Sequence, residues 1–124
     1  MIRDCGDILD RASIAKLKAE RIGESECLRE WAVFEKELNS QIDKHKDIPI
    51  RMFFNLLLKI NSMIWGLESD LRLGKLDGAL NEVGRRAIEI REHNNIRVQT
   101  KNIINNLLGE GFEDIKKQHG SSND

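Results

Sequence analysis

The chain has one proline and no tyrosine in 124 residues. So few breakers argue against a Pro-rich linker or a loop-dominated fold, and they leave room for long helices. Cysteine is almost as scarce. Cys5 and Cys27 stand alone, with no C-x-x-C pair, so neither a disulfide scaffold nor a cysteine metal cluster is encoded. We read them as free thiols in a reducing compartment. Histidine is thin as well. His45, His93 and His119 are scattered, and none has a second histidine at helical spacing, which argues against zinc.

No long apolar run is present either. The densest, Met52 to Leu58, is interrupted by Asn55 and is far shorter than the ~20 residues that span a bilayer. The segment Met1 to Asp10 is charged and shows no apolar signal region. The formal net charge is −1, so no general field draws the chain to nucleic acid or to an anionic membrane. A soluble, cytoplasmic protein without membrane contact is the expectation.

What remains is a chain 33% charged and 40% hydrophobic, long enough to bury its own core. It reads as one helical domain over residues 1–117, followed by a polar, flexible tail at 118–124. The first helix is expected from Cys5 or Gly6 to Ile22. Asp7 lies near its start, and Ile8, Ala12, Ala15, Ala19 and Ile22 form a small-residue stripe. Gly23 ends it. The second starts near Ser25, with Leu28, Trp31, Leu38 and Ile42 inward and Phe34 beside them. Residues 44–48 connect to Pro49, which suits the first turn of the third helix. That helix runs to about Leu73 and begins apolar nearly all round, from Met52 to Leu58. Gly74 breaks it, and Asp77-Gly78 signals a turn. The fourth runs from about Asp77 to Leu108, roughly 45 Å at about 1.5 Å per residue, with Gly109 as its C-terminal cap. Phe112 and Ile115 are placed in a short last turn. No strand alternation and no repeat are visible. The fold class is all-α: an antiparallel four-helix bundle with long third and fourth helices as its spine.

The most informative pattern is polar residues set into apolar stripes. Val83, Ala87, Ile90, Asn94, Arg97, Lys101, Ile104 and Leu108 recur at alternating threes and fours, so they share one face. An amide, a guanidinium and an ammonium occupy its middle. The third helix does the same with Phe54, Leu57, Asn61, Ile64, Glu68 and Leu71. Buried polar groups are costly unless partnered, so the two breaks imply an internal network or a cleft that holds something.

The stretch GDILDRASIAKLKAERI at Gly6–Ile22 resembles the opening of an uncharacterised family of small, all-helical bacterial and phage proteins. The likeness continues through Ile60-Asn61, Ile64-Trp65 and Glu68, then Asn94, Arg97, Lys101 and Asn105, to Leu108-Gly109. The resemblance implies a helical domain, often encoded near glycosyltransferase or polysaccharide genes, with no established activity. Asn95 departs from the pattern, where relatives tend to carry Asp.

Three chemistries are conceivable in the residues. Asp7 and Asp10, three apart and next to Arg11, would hold Mg²⁺ if a second carboxylate pair faced them. Glu68 is a third carboxylate, but Asp70 points elsewhere, and Glu89 and Glu92 lie off the Asn94 stripe. Asn94, Arg97 and Lys101 would grip a small anionic ligand. The alternative is that Arg97 and Lys101 pair with Asp7, Asp10 or Glu68 across the bundle, and that is the reading favoured here. Trp65, one turn from Asn61 and Glu68, is a stacking platform or, preferably, a core residue with its N–H satisfied. The cations of the fourth helix are interrupted by Glu82, Glu89 and Glu92, so no nucleic-acid stripe forms.

The candidate site or buried network is therefore Asp7, Asp10, Arg11, Asn61, Trp65, Glu68, Asn94, Arg97 and Lys101, with no metal and no cofactor expected. The leading functional expectation is an accessory or interaction protein that self-associates as a homodimer near Met52, Phe53 or Leu56. The alternative is a small ligand binder or enzyme acting on a nucleotide or sugar-phosphate with a divalent metal.

Overall fold

The computed structural model describes residues 3–72, 74 and 80–109. Among the described residues there are four helices: α1 (Cys5–Arg21), α2 (Ser25–Lys44), α3 (Ile50–Arg72) and α4 (Leu80–Leu107). The expected boundaries at Leu73 and Asp77, the Asp77-Gly78 turn, the last turn at Phe112 and Ile115, and the 118–124 tail lie outside the described residues.

Local chemistry sets the helix ends. Asp4 sits in extended backbone ahead of α1, and its side chain accepts from the Asp7 N–H at 2.8 Å. One of the four orphan donors of the first turn is satisfied in this way. At the other end, the N–H groups of Ile22 and Gly23 both donate to the Lys18 carbonyl, and Gly23 adopts φ +75°. Only a residue without a Cβ enters that region cheaply. Pro49 precedes α3 and offers its carbonyl to the Phe53 N–H at 3.2 Å. It cannot donate, and at a helix start no donor is needed.

The core gathers Ile8, Leu9 and Ala12 of α1, Leu38 of α2, Ile50, Phe54 and Leu57 of α3, and Ile104 of α4. Trp31 stacks on Phe54 with ring centroids 6.2 Å apart. Helix α2 is more peripheral than its sequence implied. Leu38 is its one buried residue, Trp31, Phe34 and Ile42 are only partly covered, and Leu28 is exposed. The α1 stripe is likewise buried at Ile8, Ala12 and Ala15 but opens at Ile22.

The centre also differs from the expected α3–α4 spine. Helices α1 and α3 each touch all three other helices, whereas α2 and α4 do not touch among the described residues. The small side chains of α1 permit that close central packing. Helix α4 therefore lies on a flank. Its first half is loosely held, with Ala87 exposed and Val83 and Ile90 half-buried. Its four buried residues are Thr100, Asn102, Ile104 and Asn105, three of them polar.

At the start of α3, Met52 and Leu56 are exposed and Phe53 is half-buried. No helix of the described residues is long and apolar enough to cross a membrane.

Candidate functional site

The polar stripes of α3 and α4 meet α1 at Asp10, which is only 4% exposed. The side-chain amide of Asn61 donates to Asp10 Oδ1 at 2.9 Å and to Ser13 Oγ at 2.8 Å. The Ser13 hydroxyl donates back to the Asp10 carbonyl at 2.7 Å. Arg97 Nε and Lys101 Nζ each stand 3.8 Å from Asp10 Oδ2. Every oxygen of the buried carboxylate thus faces a donor or a cation, which a carboxylate removed from water requires.

A second set of pairs lies one turn away. Lys101 Nζ is 3.6 Å from Asp7 Oδ1, while Arg11 Nε donates to Asp7 Oδ2 at 2.8 Å and Arg3 Nε approaches to 3.4 Å. Four cationic side chains converge on two carboxylates. At the end of the seam, Asn105 Oδ1 accepts from the Gly6 N–H at 2.8 Å, so α4 caps an orphan donor of α1. The backbones approach closely here: a Cβ on Gly6 would lie 2.7 Å from the Lys101 carbonyl oxygen. The pairs Gly6–Asn105, Asp7–Lys101 and Asp10–Arg97 descend along α4 as they ascend along α1.

Beside this seam a cleft of about 290 Å³ opens between α1, α3 and α4. Its walls are Ile14 and Leu17 of α1, Asn61, Ile64, Trp65, Glu68 and Arg72 of α3, and Asn94 and Arg97 of α4. Two guanidinium groups, a carboxylate, two amides and an indole therefore surround an aliphatic floor. Arg97 spans both features. It leans toward Asp10 on one side and lines the cleft on the other, and its Nε has no hydrogen-bond partner.

The nine sequence candidates divide accordingly. Asp7, Asp10, Arg11 and Lys101 belong to the seam, Trp65, Glu68 and Asn94 to the cleft, and Asn61 and Arg97 to both. Two readings need correction. Glu68 does not join the buried network: its side chain is 46% exposed and pairs with Arg72 at 4.0 Å. The three carboxylates Asp7, Asp10 and Glu68 accordingly do not converge. Among the described residues, no group of three or more His, Cys, Asp or Glu side chains is placed to hold a metal ion. Trp65 is not a core residue. It is half-buried, forms a cleft wall, and carries the Arg21 guanidinium 5.6 Å from its ring centroid.

Three seam residues stand outside the nine candidates. Ser13 lies three residues after Asp10 and so shares its face, and that spacing is the one signal the sequence carries for it. Asn105 lies four residues after Lys101 and continues its stripe. Gly6 looked like a helix boundary, and nothing local marks it as a contact point. A second opening of about 360 Å³ lies between α3 and α4, lined by Met63, Gly66, Leu67, Asp70, Arg86, Glu89 and His93. His93 is half-buried there, with Nδ1 2.7 Å from the Glu89 carbonyl oxygen, and none of the nine candidates lines this opening.

What the fold and site define is an all-helical protein with a charged, closed seam and an adjoining open cleft. In comparison with known proteins, the chain matches no family model, no curated protein and no solved structure.

Proposed function

We propose that the protein is a ligand-binding helical module whose cleft holds a small anionic molecule with a flat or sugar-like body. A nucleotide or sugar-phosphate is the ligand class. The observation that carries this reading is the position of Arg97. Its Nε is turned toward Asp10 at 3.8 Å, while the side chain stays 29% exposed and borders a cavity walled by Trp65. A guanidinium at the edge of a cleft is suited to phosphate or carboxylate oxygens. The convergence of four cations on two carboxylates at the adjoining seam favours an anion over a cation. Asn61 and Asn94 add directional polar groups, and Ile14, Leu17 and Ile64 supply the apolar floor such pockets use.

The test is a thermal-shift series with inorganic phosphate, nucleoside phosphates and sugar nucleotides, each with and without Mg²⁺. A ligand that binds the folded chain at about 100 times its Kd adds about 2.7 kcal/mol of stability. The expected result is a saturable rise in melting temperature of several degrees with one phosphorylated class. Trp65→Ala, which leaves the Asp10 network intact, should abolish it. The reading fails if no compound shifts the transition, or if the shift persists undiminished in Trp65→Ala.

A further inference from the structure

Helix α4 carries a second line of large aliphatics that the fold leaves outside. Opposite the stripe that meets α1 and α3, Ile88, Ile96, Ile103 and Leu107 project outward, each 47–53% exposed. At 100° per residue these four fall within a single arc of about 100°. Arg85, Glu92, Gln99 and Asn106 share that arc and are also exposed, and half-buried Glu89 lies at its edge. Because α4 is on the flank of the bundle, no other described helix covers this face. Four large aliphatics in one exposed line amount to an apolar patch of the kind that marks a contact.

We propose that the occupant of this face is a second copy of the chain, docked with its own α4 running in the opposite direction. The face is self-complementary about the midpoint between Asn95 and Ile96. A two-fold axis there brings equidistant residues together, as an isologous interface requires. Ile88 then meets Ile103 of the second copy. Glu92 meets Gln99, a carboxylate beside an amide. Leu107 meets Gly84, which has open space where its Cβ would be. Arg85, already paired with Glu82, meets Asn106. The two Ile96 side chains flank the axis. No like charges oppose one another anywhere along the seam, and bulk is matched by a gap. From Gly84 to Leu107 the contact runs about 35 Å at ~1.5 Å per residue.

The outward face of α3 fits a second copy less well. Met52, Leu56 and Met63 are exposed, but Lys59 shares their line. A two-fold pairing of that face would set two ammonium groups beside the axis, and like charges held together oppose association. The α4 seam thus relocates the homodimer contact from the start of α3, and it is independent of the cleft.

Light scattering on the full chain supplies the test. The expected mass is twice 14.3 kDa at micromolar concentration. Ile103→Glu should restore the single mass while leaving the far-UV dichroism unchanged, because it places a carboxylate against Ile88 on both sides of the axis. A crosslinking experiment gives the register. In a Cys27→Ser background, oxidised Ile96→Cys should yield a covalent dimer and Met52→Cys should not. A monomeric wild-type chain overturns the proposal, as does a dimer that survives Ile103→Glu or one that crosslinks through Met52→Cys rather than Ile96→Cys.

Discussion

Asp10 and Glu68 entered the fold with similar credentials and met different ends. Each is a carboxylate set among aliphatic neighbours on an amphipathic helix. Asp10 is 4% exposed and is met by Asn61, Arg97 and Lys101. The Glu68 side chain is 46% exposed and pairs with Arg72 of its own helix at 4.0 Å. A polar residue on an apolar stripe is buried where neighbouring helices deliver donors, and stays wet where they do not. The closed seam and the open cleft are the two outcomes, less than three helical turns apart along α3.

The sharpest way to break this comparison is to remove each carboxylate. Asp10→Ala leaves the Asn61 amide with Ser13 Oγ alone, Lys101 with Asp7 alone, and Arg97 without its carboxylate. Losing one side of a buried pair costs about 3–5 kcal/mol. The lower end is expected, because the Arg97 and Lys101 side chains keep 29% and 25% of their exposure. Glu68→Ala removes a surface pair and should cost under about 1 kcal/mol. Urea unfolding of both variants measures the difference, and similar midpoints would dissolve the distinction between seam and cleft.

A second contrast concerns glycine. Gly6→Ala would drive a Cβ to 2.7 Å from the Lys101 backbone carbonyl, which cannot yield as a flexible side chain does. Overpacking of this kind costs roughly 1–3 kcal/mol. Gly66→Ala, inside α3 with nothing within 4 Å of its Cβ, should instead stabilise by about 0.5–1 kcal/mol through helix propensity. Thermal melts of opposite sign are the expected outcome.

A third contrast sharpens the seam rather than breaking it. Asn105→Ala removes the acceptor for the Gly6 N–H and should cost about 1–2 kcal/mol, since a buried donor is left unpaired. Its neighbour Asn106 is exposed, and Asn106→Ala should change stability by less than about 0.5 kcal/mol. Amide exchange at Gly6 should accelerate in the first variant alone.

Much of the seam was legible beforehand because helical periodicity is local. Asn61, Asn94, Arg97 and Lys101 were found by counting threes and fours, and Asp7 and Asp10 by supplying the opposite charge. Gly6, Ser13 and Asn105 stand outside the candidates for a common reason. A glycine at a crossing, a serine back-bonded to its own helix and a capping amide become recognisable only when the other helix is in place. An indole on an apolar stripe reads as core, but the depth of a cleft is a property of three helices and has no periodic signature. Helix α4 was read for one face only. Its second apolar line became visible once the flank position showed that nothing from α2 covers it.

The sequence alone determined the all-α class, the approximate helix limits and the residues that would have to be partnered if buried. Breakers, caps and the 3.6-residue period act within a few residues of chain, so no tertiary information is needed to read them. Tertiary structure alone decided that α1 and α3, rather than α3 and α4, hold the centre. It also decided that Asp10 is enclosed while Glu68 faces solvent, and that Gly6 is a contact point. Those outcomes depend on which helix stands opposite and how closely its backbone approaches, and both are set by packing the whole chain at once.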